Sequence, residues 1–93
     1  MDLTLKRLAV RPDVLTRELR GESVLLDLAS ERYFGLDEVG TGMWRALTAG
    51  GTVGQAIDAL LGEYDVPAEQ LREDVGAFVR QLSEAGLVDV RDA

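Results

Sequence analysis

Apolar and polar residues alternate along the first third of the chain, and this pattern predicts β-strands. The strongest candidate covers residues 23–28, where one face carries only valine and leucine and the other face is mixed. Residues 13–19 and residues 33–36 form two further candidates, separated from it by short turn-like segments. Residues 3–10 are a fourth candidate, although their apolar phase slips midway. The pattern therefore predicts a sheet of three strands, with one additional segment that is compatible with a strand.

Helical spacing replaces alternation in the remaining two-thirds of the chain and predicts three helices. Their apolar stripes are Val39, Met43, Trp44 and Leu47 for the first, Val53, Ala56, Ile57, Leu60, Leu61 and Tyr64 for the second, and Leu71, Val75, Phe78 and Leu82 for the third. Each stripe is amphipathic, so each helix is expected to bury one side against the rest of the domain.

Capping residues stand at the ends of these predicted helices. Asp37 precedes the first stripe as an N-cap, and Thr52 with Gln55 forms a capping box for the second. Pro67 lies near the first turn of the third helix, and Gly86 is placed to end it. These signals place the helix boundaries.

The predicted order is strand, strand, strand, helix, helix, helix. A three-stranded antiparallel sheet followed by three helices is an α+β fold of the winged helix-turn-helix-like kind. A chain of 93 residues without a linker or repeat is expected to form a single domain over residues 1–93.

The composition argues against catalysis. Cysteine and histidine are both absent, which removes disulfides, thiolate metal sites and the commonest general base. The only lysine, Lys6, lies near the start of the chain, and the serines stand in no nucleophile-elbow context. We therefore expect no enzyme activity, no metal site and no cofactor.

No apolar run is long enough to span a membrane, and the first residues lack the apolar segment of a secretion signal. We expect a cytoplasmic protein with no membrane partner.

The negative charge is concentrated in the later part of the chain. Residues 1–34 carry six basic and six acidic side chains, whereas residues 35–93 carry four basic and eleven acidic ones, which accounts for the net charge of −7. The predicted third helix has a net charge of −2. Such a surface opposes contact with phosphates, so we expect no nucleic-acid partner. A winged-helix DNA-binding or protein-interaction module is the alternative function.

The aromatic strand at residues 33–36 is a candidate binding edge. Tyr33 and Phe34 are adjacent and must point to opposite faces of the sheet, so one ring is expected at an exposed or rim position. Either the N-terminal segment covers that ring, or the strand is an open edge to which a partner's backbone adds.

The third helix offers a second candidate surface. Its inner stripe is complete without Val79, and Arg72, Gly76, Val79 and Ser83 follow one line at spacings of four, three and four. We expect this line to face outward as a groove wall, with Val75 at its border and Arg80 at its flank.

The stretch SVLLDLASERYFGLDEVGTGMWRAL, residues 23–47, resembles the PqqD-like family. The segments TVGQAIDALLGEYDV and LREDVGAFVRQLSEAGLV continue the resemblance, which covers about residues 13–90. Its most specific parts are RYFGLDEVG followed by Trp44, and LSEAGLV near the end. Asp37 departs from the family, which often has asparagine there.

The resemblance implies a domain that binds leader peptides in pathways for ribosomally made, modified peptides. Standalone members occur in quinone-cofactor synthesis and, commonly, in lasso-peptide clusters, and the lasso type is favoured here. The resemblance also implies a precursor leader peptide held as an added strand between the third strand and the third helix. Separate maturation enzymes, a cysteine leader peptidase or an ATP-dependent cyclase or both, would do the chemistry. The expected peptide-binding residues are Tyr33, Phe34, Gly35, Leu36, Arg72, Val75, Gly76, Val79, Arg80 and Ser83.

Overall fold

Two antiparallel sheets and three helices make up the fold. The computed structural model describes residues 3–92. After a single 3-10 turn at Leu3–Leu5, the strands are β1 (Lys6–Val10), β2 (Val14–Leu19), β3 (Glu22–Asp27), β4 (Arg32–Leu36) and β5 (Val88–Asp92). The helices are α1 (Glu38–Leu47), α2 (Val53–Glu63) and α3 (Ala68–Glu84).

The central sheet has the strand order β2-β3-β4, with both pairs antiparallel. Arg20 and Gly21 form the loop between β2 and β3, and both have positive φ, 57° and 83°. A two-residue loop of this kind matches the twist of the strands that it joins. The predicted three-stranded antiparallel sheet followed by three helices is therefore confirmed, and the arrangement is compatible with a winged-helix relationship.

A second sheet joins the two ends of the described chain. β1 pairs antiparallel with β5, from Lys6 opposite Asp92 to Val10 opposite Val88, and Lys6 and Asp92 form an ion pair. The strand predicted within residues 3–10 is real, and its phase slips because Leu3–Leu5 is a 3-10 turn. β5 was not among the predicted strands.

The predicted helix caps are confirmed. Asp37 accepts a hydrogen bond from the backbone N–H of Gly40 at 2.7 Å, which caps α1. Thr52 and Gln55 form a reciprocal capping box at the start of α2. These bonds satisfy N–H groups that a helix leaves without an internal partner.

The end of α3 is fixed by its backbone. Gly86 adopts φ 75°, and its N–H donates to the carbonyl of Ser83 at 3.0 Å. The N–H of Leu87 donates to the carbonyl of Leu82 at 3.0 Å, and Leu87 is buried. This pair of bonds is a Schellman motif, and it turns the chain directly into β5.

The core consists of two adjoining clusters of buried side chains. One lies among the helices and contains Met43, Leu47, Val53, Ala56, Ile57, Leu60, Leu71, Val75 and Val79. The other lies between the central sheet and the helices and contains Val14, Leu25, Trp44, Leu82, Leu87 and Val88. Phe78 borders both. α3 therefore packs in two directions, toward the helices along its first half and toward the sheet near its end.

β3 buries its more polar face. Ser23 and Asp27 are buried together with Leu25, whereas Val24 is 42% exposed on the other face. The buried Ser23 hydroxyl is 2.7 Å from that of Thr41 on α1, so the two satisfy each other. A buried polar group without such a partner would cost about 1–3 kcal/mol. The alternation in the sequence correctly predicted a strand here, but the more apolar face of β3 points away from the core.

Candidate functional site

An apolar cleft separates β4 from the end of α3. It has a volume of about 300 Å³ and is lined by Leu25, Phe34, Gly35, Leu36, Phe78, Gln81, Leu82, Ala85 and Leu87. Gln81 is the one lining residue with a polar side chain. A volume at the lower end of the ligand-pocket range, about 300–1,000 Å³, suits individual side chains better than a whole small molecule.

β4 forms one wall of this cleft and is also an edge strand. Within residues 3–92 it pairs with β3 alone, because the strand order ends at β4. An edge strand presents backbone N–H and C=O groups that another extended chain can pair with. The cleft therefore combines a row of backbone hydrogen-bonding groups with apolar side-chain space directly beside it.

Alternate residues of β4 point to opposite sides of the sheet. Phe34 and Leu36 are partly buried on the inner side and line the cleft. Tyr33 is 74% exposed on the outer side. The prediction that one of the two adjacent rings would be exposed is confirmed, and β1 does not cover it.

Arg32 lies over the ring of Phe34, which lines the cleft. The guanidinium carbon of Arg32 lies 5.3 Å from the centroid of the Phe34 ring, within the range of a cation–π contact. This contact holds a positive charge at the inner rim of β4, in a domain that is otherwise strongly acidic. The same guanidinium lies opposite Asp27 of β3 and contributes to the lowered pKa of that carboxylate.

The predicted outward line on α3 is wrong at its central residue. Val79 is 1% exposed and Val75 is fully buried, and both belong to the cluster among the helices. Because α3 packs against α2 as well as the sheet, its buried surface is wider than the single stripe on which the prediction rested. Val75 and Val79 therefore have almost no surface to offer a peptide.

The other predicted residues of α3 also lie off the cleft. Arg72, Arg80 and Ser83 are exposed and Gly76 is partly buried, but none of them lines the cleft between β4 and α3. The side of α3 that lines the cleft is instead the one that carries Phe78 and residues that follow it.

Sequence reasoning missed Gln81 and Ala85. Together with Phe78 and Leu82 they follow helical spacings of three, four and seven residues, which place four side chains on one face. The available signal was the small side chain of Ala85 one turn after the bulky Leu82, because a small residue at a helix end leaves room beside a sheet edge.

Hydrogen bonds fix the loop that precedes β4. The Asp27 carboxylate accepts a bond from the Ser30 hydroxyl at 2.8 Å and another from the backbone N–H of Ala29 at 3.1 Å. The bond from Ser30 is the main reason why the pKa of Asp27 lies below its ordinary value. The loop therefore enters β4 in a defined conformation.

An ion pair joins the far edge of the sheet to α1. The guanidinium of Arg45 donates to both carboxylate oxygens of Glu18 on β2, at 2.7 and 2.5 Å, and this contact lowers the pKa of Glu18. β2 is also an edge strand, and the concavity that its residues line, about 630 Å³, includes no residue of α3. The two edges of the sheet are thus chemically different.

These features define a class of small α+β domains in which an edge strand lies open beside a helix with apolar space between them. Residues 22–88 match the family described as coenzyme PQQ synthesis protein D (PqqD). The chain belongs to this family, as the resemblance in its sequence indicated.

The chain is similar to a curated protein from Rhizobium meliloti (strain 1021), the PqqA binding protein. The two are 29% identical over 72 residues, which cover 77% of this chain and 71% of that protein.

Two solved structures have the same fold. One is TbiB1 in complex with the TbiA(beta) leader peptide, with 32% sequence identity and a TM-score of 0.82, covering 86% of this chain and 93% of that one. The other is a lasso peptide synthetase B1 complexed with the leader peptide, with 25% identity and a TM-score of 0.81, covering 89% and 98%.

No helix within residues 3–92 has both the length and the apolar character needed to cross a membrane.

Proposed function

We propose that this chain is a single PqqD-like domain that binds the leader segment of a ribosomally synthesised precursor peptide and presents it to maturation enzymes. The leader adds as a strand along β4 and places side chains in the cleft beside α3. The observation that carries the proposal is the free edge of β4 next to an apolar cleft. Two structural relatives that are named as complexes with leader peptides support it.

The energetics assign most of the affinity to the cleft. About four backbone hydrogen bonds along β4, at about 0.5–1.5 kcal/mol each, roughly offset the 2–5 kcal/mol that ordering a flexible peptide costs. A micromolar complex requires about 8 kcal/mol in total. Each apolar side chain buried fully in the cleft contributes about 1.5–3 kcal/mol. Side chains that contact Phe34, Phe78 and Leu82 therefore determine which leader is bound.

The domain acts by binding and without catalysing a reaction of its own. Its cleft is lined by hydrocarbon, aromatic and amide side chains, none of which is an activated nucleophile or a general base. A separate cytoplasmic enzyme, a cysteine leader peptidase or an ATP-dependent cyclase, acts on the precursor while its leader is bound here. Holding the precursor raises its local concentration at that enzyme.

Calorimetric titration tests the proposal against the DNA-binding alternative. The titrants are the leader of a precursor encoded beside this chain's gene, a scrambled peptide of the same composition, and a random 20-base-pair duplex. We expect saturable binding of the leader alone. The exposed acidic residues of α3, among them Glu69, Glu73 and Glu84, oppose the duplex. Binding of the duplex, or equal binding of both peptides, would overturn the proposal.

A further inference from the structure

Gly35 leaves a gap in the outer face of the central sheet. It lies within β4, directly opposite Val24 of β3, and a Cβ atom placed on it would meet no other atom within 4 Å. Glycine inside a strand costs about 0.5–1 kcal/mol relative to alanine. Neither packing nor backbone geometry requires it here, since the glycines with positive φ are Gly21, Gly50 and Gly86.

The side chains around this gap are apolar and exposed. Val24 is 42% exposed across the gap, and Tyr33, two residues earlier on β4, is 74% exposed. Leu26 lies opposite Tyr33 on the same face. These three residues also form part of the wall of a larger concavity of about 630 Å³ on the outer face. The gap is thus an open notch with an apolar side and an aromatic end.

A strand added to the free edge of β4 reaches this notch. Its residue opposite Gly35 points to the outer face, and the Cβ atoms of paired residues in neighbouring strands are about 4.5–5.5 Å apart. Because Gly35 has no side chain, the side chain of that added residue can lie across it and reach Val24 on the next strand. An aromatic or large aliphatic group would cover both Val24 and the ring of Tyr33.

We propose that the bound leader is held on both faces of the extended sheet, with a large apolar side chain lying over Gly35 against Val24 and Tyr33. This inference rests on the proposed strand addition at β4. The notch is a second specificity site, distinct from the cleft on the inner face. Peptides with a small or charged residue at the outward position bind less tightly.

The two sites impose a spacing rule on the leader. Side chains alternate between the faces of a strand, so residues that share the inner cleft are separated by an even number of positions. The residue in the outer notch is separated from any of them by an odd number. The rule holds for a parallel or an antiparallel leader, because alternation does not depend on strand direction.

The experiment uses twelve-residue peptides selected from a random display library on the immobilised wild-type domain. Each selected peptide is synthesised with every position replaced in turn by alanine, and its affinity is measured by fluorescence anisotropy on three proteins. These are the wild type, Gly35→Val, which fills the notch, and Phe78→Ala, which enlarges the cleft. Circular dichroism verifies that both variants are folded.

We expect one large apolar peptide residue whose replacement by alanine lowers wild-type affinity about tenfold, as loss of a partly buried side chain implies. On Gly35→Val the same replacement should change affinity less than twofold. The residue coupled to Gly35 should lie an odd number of positions from the residue coupled to Phe78. Gly62→Val is the matched control, because it makes the same substitution at an exposed glycine of α2, away from β4, where a Cβ atom would also meet no other atom within 4 Å, and it should behave as the wild type.

Three outcomes decide against the inference. If alanine replacement costs the same on wild type and Gly35→Val, or if the two coupled positions are evenly spaced, the notch is not a binding site although strand addition stands. If no library peptide binds, the proposed function fails and the inference fails with it.

Discussion

Three side chains in the second half of α3 lie in three different environments. Val79 is buried among the helices, whereas Gln81 faces the cleft and Ser83 faces solvent outside it. A new carboxylate at each position therefore tests three environments on one helix. Burying an unpaired carboxylate costs several kcal/mol.

We predict that Val79→Glu unfolds the domain, that Gln81→Glu keeps the fold but weakens leader binding about tenfold, and that Ser83→Glu does neither. Gln81→Glu places a carboxylate in an apolar cleft that loses its contact with water when a peptide enters. A tenfold loss of affinity corresponds to about 1.4 kcal/mol. Circular dichroism measures folding, and calorimetry measures affinity. Normal folding of Val79→Glu would show that α3 is rotated from the position described.

Asp27 makes the stability of the domain depend on pH in the acid range. Its pKa is lowered in the folded state, mainly by the hydrogen bond from Ser30, so it stabilises the fold above its ordinary pKa near 4. That contribution is lost as the pH falls through the lower folded value.

We predict that Ser30→Ala is less stable than the wild type near neutral pH and that the difference shrinks as the pH falls through the lowered pKa of Asp27, because the bond from Ser30 favours the ionised carboxylate. Urea denaturation at several pH values measures the difference. If the difference is constant with pH, the Asp27 carboxylate does not act through Ser30.

At the scale of elements, the central sheet offers two edges that a peptide might extend. β4 borders the cleft, whereas β2 carries the Glu18–Arg45 ion pair and the exposed side chains of Leu15 and Leu19. Strand addition converts free backbone amides into hydrogen-bonded ones, which slows their exchange with solvent.

We predict that bound leader slows amide hydrogen exchange in β4 and in the last two turns of α3, and leaves β2 unchanged. The cleft explains the choice of edge, because apolar side chains of α3 face β4, whereas the contact from α1 to β2 is the ion pair of Arg45 with Glu18. Exchange measured by NMR with and without peptide tests this. Protection confined to β2, or to α1 and α2, would contradict strand addition at β4.

Most of the elements follow from local sequence signals. Alternation predicted β2, β3 and β4, and the caps at Asp37, Thr52 and Gly86 predicted the helix ends, because each signal depends on neighbouring residues only. β5 escaped prediction because its five residues, VDVRD, carry three charges and gain their strand conformation from β1 at the other end of the chain.

The candidate site was predicted in part. Phe34 and Leu36 were expected to contact a peptide, and they line the cleft. The α3 residues expected to contact a peptide do not line this cleft, because periodicity shows which residues are apolar, but not which of two neighbouring surfaces each one meets. Val79 is buried in the cluster among the helices, whereas Phe78 also lines the cleft, a difference that depends on tertiary packing.

At the scale of the whole molecule, the proposed function assigns binding to this domain and chemistry to separate enzymes. We predict that the purified domain neither cleaves nor modifies a precursor, but accelerates processing by a partner peptidase at low precursor concentration. The acceleration should disappear at saturating precursor, where local concentration no longer limits the rate. Mass spectrometry of the precursor measures both. Turnover by the domain alone would refute the division of labour.

The pairing of β1 with β5 brings the first and last strands of the domain together. Residues 6 and 92 lie side by side, so a short peptide linker between residues 3 and 92 can close the described part of the chain, and new ends can be opened at the exposed Gly50 between α1 and α2. The circular chain without new ends should have a free energy of unfolding in urea that is higher than that of the linear chain with the same linker, by up to roughly 4 kcal/mol, because its unfolded state has less entropy.

The permuted chain, with its new ends at Gly50, should still bind a leader, since neither β4 nor α3 is interrupted. Because β1 and β5 are paired, the domain without this linker can instead be inserted into another protein as a loop, with both attachment points on one side.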